Sequence, residues 1–482
     1  MKRSGAHIAL FASLLFAIVF SCTKTGELLP NEAPDTFISI DSISLVGDNR
    51  LNSRVQLSWF GTDKDGWIEG FELSLDNIAW SFTQSQDSLF QFSLPPGADT
   101  VDIELWIRAI DNLGQADLNP AYLRIPLKNT PPNVQFEEKS LPGDSVRSVV
   151  TFRWSFSDRD GNQSVTKAYL KLNSGPWQEI DRNQQLVSIV LDPSVPSGTA
   201  TGDLYYGTQS QSSLSLSGLI ADGDNTLYLK VEDLGGAESM IDTSNTFFLR
   251  QKKSDVLLVG AQPVSVRTIY SNALTQAGVD FDLEDYFVNT SANAPKFWQP
   301  SFYLLIQLYD KLFLYSDPTT LPPNEVTGEE LSFLVFVSSA LQQFTDKGGK
   351  SFTTTSFTPS ADITPLIGSF PIDGLVLSAG QARIVPDSGL YSIQGSMYPN
   401  LFPNAIDIGV DPIIKSADSE DFYRGKLTKL SNWNGDNLIA SRRFRNGNVN
   451  QVFFSVELHK YIRTPQALTD LIDQVFNDDF DW

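Results

Sequence analysis

Two short runs of carboxylates carry the densest chemistry in this chain. Asp63 and Asp65 stand in D-K-D-G, Asp158 and Asp160 in D-R-D-G, and Asp111 and Asp233 recur at matching later points. Alternate carboxylates before a glycine begin many calcium loops, and a later aspartate adds a further oxygen ligand. The longer loop with its bidentate glutamate is absent. At a strand end the same pattern makes a turn in which aspartates accept nearby backbone amides and glycine takes positive φ. The turn is the preferred reading, and calcium is the one cofactor the residues admit. Histidine-based metal clusters are excluded, because the chain has only His7 and His459. Cys22 is the sole cysteine, so no disulfide framework, zinc knuckle or later cysteine nucleophile exists. With 57 acidic and 35 basic residues the formal charge is −22, which repels nucleic acid and anionic lipid heads.

Cys22 follows a basic start, Lys2-Arg3, and a thirteen-residue apolar run from Ile8 to Phe20. That run is shorter than the roughly 20 residues a spanning helix needs, so it reads as a signal-peptide core. V-F-S-C, Val19 to Cys22, resembles the lipobox of bacterial lipoproteins, with Phe20 bulkier than that pattern usually carries. The resemblance implies removal of residues 1–21 and acylation of Cys22, several chains holding where one would release. Thr23, in place of aspartate, resembles lipoproteins sorted to the outer membrane. The mature chain would keep 33 basic against 57 acidic groups, a net of −24. Residues 22–34, with Gly26, Pro30 and Pro34, read as a tether.

Positioning those aspartates requires a repeated element. V-Q-L-S-W-F-G-T-D-K-D-G (Val55 to Gly66) matches V-T-F-R-W-S-F-S-D-R-D-G (Val150 to Gly161), and two further blocks follow in the same order. Leu75 to Trp80 matches Leu172 to Trp177, and Leu105 to Gly114 matches Leu227 to Gly236. Three ordered matches define two homologous modules, 35–128 and 131–250, with Pro131-Pro132 as linker. Trp59 and Asp111 are 52 positions apart but Trp154 and Asp233 are 79, which predicts an insertion in the second copy over 188–216. Alternating apolar and polar residues predict antiparallel β-sandwiches with Trp59 and Trp154 facing inward. These blocks resemble fibronectin type III and related immunoglobulin-like modules of bacterial surface proteins.

From Ser254 the period changes. D-V-L-L-V-G (Asp255 to Gly260) is a continuous apolar run followed by a helical stripe at Val266, Ile269, Tyr270, Ala273 and Ala277. Further strands are predicted at 311–315, 350–355 and 373–378. A helix is predicted to open at a Thr327/Glu330 capping box and to end at Gly348-Gly349. A hairpin follows over 438–444 and 449–456, and a last helix has Thr464 as N-cap. The fold class is therefore two antiparallel β-sandwiches followed by an α/β doubly wound domain over 254–482. The order resembles the class I glutamine amidotransferase-like group of flavodoxin-like domains, carried by D-V-L-L-V-G, L-Y-D-K-L-F-L-Y, D-K-G-G-K-S-F-T-T-T and F-F-S-V-E-L-H-K-Y.

The chain departs from that family where catalysis resides. Its nucleophile turn reads T-T-T-S-F-T-P (Thr353 to Pro359), without cysteine. Ser356 is the available replacement nucleophile, with His459 as base and Glu457 as orienting acid. No G-x-S-x-G elbow supports it, and no G-x-G-x-x-G or G-x-x-x-x-G-K follows the first strand. The segments 286–303 and 379–425 are expected at the carboxyl edge of the sheet, where such domains bind ligands. Phe297, Trp298 and Tyr303 are the candidate residues for stacking on a sugar ring; the alternative is that these aromatics cover the sheet edge. The expectation is a lipid-anchored outer-membrane protein, mainly non-enzymatic, that binds a glycan or an envelope protein; the alternative is a hydrolase using Ser356 and His459.

Overall fold

The structure, a computed structural model, describes residues 30–481 apart from 41–44, 47–49, 93, 96, 196, 208–209, 288–298, 325, 359–360, 377–381 and 430–434. Contacts divide the chain into two compact units. One holds the chain to Thr130 with 159–164 and 234–236; the other holds 131–158, 165–233 and the chain from Ala237.

In the first unit, strands Asp35–Ile40, Arg54–Thr62 and Asp87–Gln91 make a three-stranded antiparallel sheet. A second sheet contains Ile68–Ser74, Ser81–Thr83, Thr100–Asp111 and Ala121–Lys128, extended by the short strands Leu45–Val46 and Arg50–Leu51. The alternation in R-V-Q-L-S-W-F-G-T sends Val55, Leu57 and Trp59 inward against Leu105, Ile107 and Ala109. Trp59 is 2% exposed, and its indole N–H donates to Ser85 O at 2.9 Å. The two sheets pack face to face on one apolar core, the β-sandwich that the repeat predicts.

The second unit opens with the other sandwich. Trp154 is fully buried beside Phe152, Val150 and Leu170. Two backbone bonds repeat between the modules at equivalent places. Trp59 N to Gln86 O (2.8 Å) corresponds to Trp154 N to Gln185 O (3.0 Å), and Phe92 N to Ser53 O (2.9 Å) to Leu191 N to Ser148 O (2.8 Å). Strand Leu186–Leu191 therefore belongs to the common framework. The inserted part is the hairpin Gly198–Tyr206 and Ser210–Ala221, later than the predicted 188–216, because apolar alternation in 186–191 already serves the shared core.

The rest of this unit, the head, is built on one eight-stranded sheet. Its strands are β1 (Val256–Gly260), β2 (Asp282–Asp285), β3 (Lys311–Tyr315), β4 (Lys350–Thr354), β5 (Leu390–Ser392), β6 (Ser419–Gly425), β7 (Leu438–Arg445) and β8 (Asn448–Phe454). They lie in the order β2-β1-β3-β4-β8-β7-β6-β5, the first five mutually parallel and the rest antiparallel. Helices α1 (Val264–Gln276), α2 (Gln299–Ile306), α3 (Phe333–Asp346) and α4 (Pro465–Asp473) cover both faces. Val256 and Leu258 pack with Tyr270 and Leu274 of α1 and Leu468 and Leu471 of α4. Leu257 and Val259 pack instead with Phe302 of α2 and Val337 and Leu341 of α3. A strand covered on both faces must be apolar throughout, which accounts for V-L-L-V.

Two expectations are corrected. Helix α3 starts after Ser332, because Asn324 Oδ1 accepts the amides of Val326 (2.9 Å) and Thr327 (3.1 Å) and commits that segment to a turn. The described part of the predicted strand 373–378, residues 373–376, does not join the main sheet; Ile372–Leu375 pairs antiparallel with Ile413–Lys415, and 377–378 lie outside the described residues. Helix α4 begins at Pro465 with Thr464 as its N-cap, as predicted.

The second sandwich and the head share their packing. Val149 and Val190 of the sandwich lie in one apolar cluster with Leu257, Tyr286 and Leu305 of the head. Arg147, 9% exposed in its side chain, meets Asp282 Oδ1 and Glu284 Oε1, each at 2.9 Å. Arg250 reaches Glu284 at 2.8 Å, and Tyr309 OH donates to Asp282 Oδ2 at 2.9 Å. The acidic edge strand β2 is thus covered by the sandwich's arginines, which closes an edge otherwise open to foreign strands.

Candidate functional site

The carboxyl ends of β1, β4 and β8 bring three loops together. Gln262 follows β1, Ser356 follows β4, and Glu457 to Tyr461 follow β8. Thr354 fastens the last loop: its Oγ1 donates to Val456 O at 2.7 Å and accepts Leu458 N at 2.9 Å. A single 3-10 turn, Leu458–Lys460, then folds Lys460 back over Glu457.

Glu457 is the hub of this site. Its Oε1 accepts hydrogen bonds from Ser356 Oγ and Lys460 Nζ, both at 2.7 Å. Oε2 accepts one from Gln262 Nε2 at 2.7 Å, and His459 Nε2 stands 3.7 Å away. Burial alone would raise the Glu457 carboxyl, but the bonds from Lys460 and Ser356 outweigh it and hold it below its ordinary value. Burial pushes His459 down despite the pull of Glu457. The buried Tyr270 hydroxyl accepts His459 N at 3.0 Å and lies 3.4 Å from His459 Nδ1. Asp407 completes the cluster, accepting Tyr461 OH at 2.7 Å with Lys460 at 3.8 Å; burial raises its carboxyl. Beside Ser356 lies a cavity of about 200 Å³ lined by Asp317, Ser332, Leu334, Thr355 and Phe357.

The structure brings Ser356, Glu457 and His459 into one cluster but in a different order from the expected triad. The serine proton goes to Glu457, not to the imidazole, so Glu457 stands between Ser356 and His459. A carboxylate already bonded to an ammonium and an amide is a weak base toward that serine. Gln262, Lys460 and Asp407 were missed in the sequence. Lys460, three residues after Glu457 and next to His459, carried a local signal; the other two did not.

The remaining candidates lie elsewhere. Cys22, Phe297 and Trp298 fall outside the described residues. Tyr303 is half-buried on α2 and donates to Gln343 Oε1. Tyr286 and Phe302 are buried and pack on one another and on Phe336, as the covering of the sheet. Asp111 Oδ1 accepts the amides of Leu113 and Gln115, both at 2.8 Å, and Asp63 Oδ1 accepts that of Asp65 at 3.3 Å. Asp65 Oδ2 accepts Glu32 N at 3.1 Å. Asp160 accepts Ser53 N (2.9 Å) and Thr130 N (2.7 Å), while Asp233 accepts Ala237 N at 2.8 Å. Asp158 is buried at the end of its strand. The bonds of Asp63, Asp111 and Asp233 are local turn bonds and those of Asp65 and Asp160 tie distant segments; among the described residues no three His, Cys, Asp or Glu side chains are grouped to hold a metal ion. Nor is any described helix long and apolar enough to cross a membrane.

No protein-family model and no curated protein matches the chain. Among solved structures, the fibronectin(III)-like modules of Clostridium thermocellum CbhA align at 13% identity over 45% of this chain and 95% of that one, with a TM-score of 0.18. A tetra-tandem repeat from the extending region of a large adhesion protein aligns at 14% identity over 45% of this chain and 49% of that one, with a TM-score of 0.19. Agd3, a carbohydrate deacetylase, aligns at 12% identity over 46% of this chain and 32% of that one, with a TM-score of 0.26. The chain thus spans half or less of the last two, and the sandwich assignment rests on its own strand pairing.

Proposed function

We propose that this is a lipid-anchored protein of the bacterial outer membrane, in which two β-sandwich modules carry an amidotransferase-like head that binds a glycan or an envelope protein at its carboxyl edge without catalysis. The parallel order β2-β1-β3-β4-β8 with helices on both faces supports a flavodoxin-like head. The observation that carries the non-catalytic reading is the Ser356–Glu457 bond of 2.7 Å, with Lys460 on the same carboxylate oxygen. A serine nucleophile needs a base free to take its proton, and this carboxylate is an ionised partner of Lys460 held below its ordinary pKa.

The test uses soluble peptidoglycan fragments as the glycan probe and p-nitrophenyl acetate as a generic ester. Saturable fragment binding that weakens in Ser356→Ala, with no ester turnover, is the expected result. Turnover abolished by Ser356→Ala would establish the hydrolase instead. For the anchor, Cys22→Ser should move the protein from the membrane to the soluble fraction, and persistent attachment would refute lipidation there.

A further inference from the structure

We propose that the open side of the first sandwich is a docking site for an extended segment of a partner protein, which adds as an antiparallel strand to Asp87–Gln91. The two modules place equivalent strands there. The backbone bonds shared by Trp59 and Trp154, and by Phe92 and Leu191, set Phe90 in the first module at the position of Ile189 in the second. In the second module that strand is not terminal: Gly198–Tyr206 pairs with its far side, Leu204 lying opposite Ile189. Both residues are fully buried there. In the first module Asp87–Gln91 is the last strand of its sheet among the described residues.

The missing strand leaves visible consequences. Ser88 and Phe90 face inward but remain only half-buried. A cavity of about 550 Å³ opens between the sheets, walled by Trp59, Leu73, Phe82, Phe90, Phe92 and Leu105. Trp59 N to Gln86 O and Phe92 N to Ser53 O show that even-numbered positions face strand Arg54–Thr62. Pairing in an antiparallel sheet alternates, so Leu89 turns its amide and carbonyl to the open side. The edge carries neither lysine nor proline, the usual devices against strand addition. The second module therefore shows what fits: a strand with one leucine-sized side chain entering between the sheets beside Phe90.

Charge narrows the partner further. Asp76 and Asp87 are exposed on the rim, and no lysine or arginine lines the cavity. The matching segment is apolar at alternate positions and flanked by lysine or arginine.

The probe is a fluorescent synthetic peptide copying residues 199–206 with a lysine added at each end, titrated into the full chain. Expected is saturable binding at about 10–500 μM, weaker at high salt, with the Leu89 amide slowed in hydrogen exchange. Leu89→Pro should weaken binding at least about tenfold while leaving the module's own ladder intact, since that N–H faces away from it. Asp87→Lys, at an exposed position, should also weaken it and guards against misfolding of the proline variant. Absence of saturable binding up to about 1 mM, or equal binding by both variants, would overturn the proposal. Dimerisation of the chain that Leu89→Pro abolishes, without peptide binding, would assign the edge to a second copy and overturn the choice of partner.

Discussion

Glu457 holds Ser356, Lys460 and Gln262 through three hydrogen bonds of 2.7 Å, so its removal and theirs are not equivalent. Glu457→Ala strands a partly buried ammonium, an amide and a hydroxyl, and should cost about 3 kcal/mol in urea unfolding. Ser356→Ala removes one donor and should cost about 1 kcal/mol. Equal costs would mean that the hub lies elsewhere. The pH response has two opposite parts. Glu457 titrates below its ordinary value, so its stabilisation is present above the unfolded carboxylate pKa and fades as pH falls through the lower folded one. Asp411 is pushed up to about 6 from 3.8 by burial, and its Oδ2 has no hydrogen-bond partner. Its contribution is present below the unfolded pKa and is lost as pH rises through about 6. Asp411→Asn should therefore raise Tm at pH 8 and give no gain at about pH 3.5. A gain that is the same at both pH values would refute this assignment of the charge.

The elements that frame the site tolerate little change where chain approaches chain. A Cβ on Gly260, the last residue of β1, would meet Tyr315 O at 2.4 Å and its ring at 2.6 Å. Gly260→Ala should cost about 1–3 kcal/mol and disturb the loop that carries Gln262, read as a lower urea midpoint. Gly278, which follows the C-cap of α1 at φ +70°, has open space around it. Gly278→Ala should cost only the backbone strain of about 1 kcal/mol. The ranking, Gly260 above Gly278, is the test. Local patterns announced most of these elements: the run Val256–Gly260, the stripe of α1, and Thr464 as the N-cap of α4. Thr327 and Glu330 misled because the Asn324 side chain takes the Thr327 amide that Glu330 would have bonded, a choice made by the turn.

The second sandwich and the head are expected to unfold together, in place of the separate folding that the two sequence patterns suggest. They share an apolar cluster and a buried arginine–carboxylate network. A fragment of residues 131–482 should give one calorimetric transition, and 254–482 alone should melt lower or aggregate through the face left by Val149 and Val190. Arg147→Ala leaves Asp282 without its arginine in a buried setting, while Glu284 keeps Arg250, and should cost about 3–5 kcal/mol. Two independent transitions in 131–482, insensitive to Arg147→Ala, would restore the separate-domain view.

Repeats, strand periods and helix ends could be read directly from the chain, because each depends on sterics and hydropathy within a few residues. The two sandwiches, their inward tryptophans and the strands that open the head all follow from such local rules. The candidate site was legible only as residue types. Ser356 and Glu457 are 101 positions apart, and Gln262 and Glu457 are 195 apart. Only the parallel pairing of β1, β3, β4 and β8 brings their loops to one edge, and no local pattern encodes that order. The direction of the serine hydrogen bond was likewise decided in three dimensions. Lys460 and Gln262 make Glu457 a fixed charge, and a hydroxyl turns toward the strongest acceptor within reach.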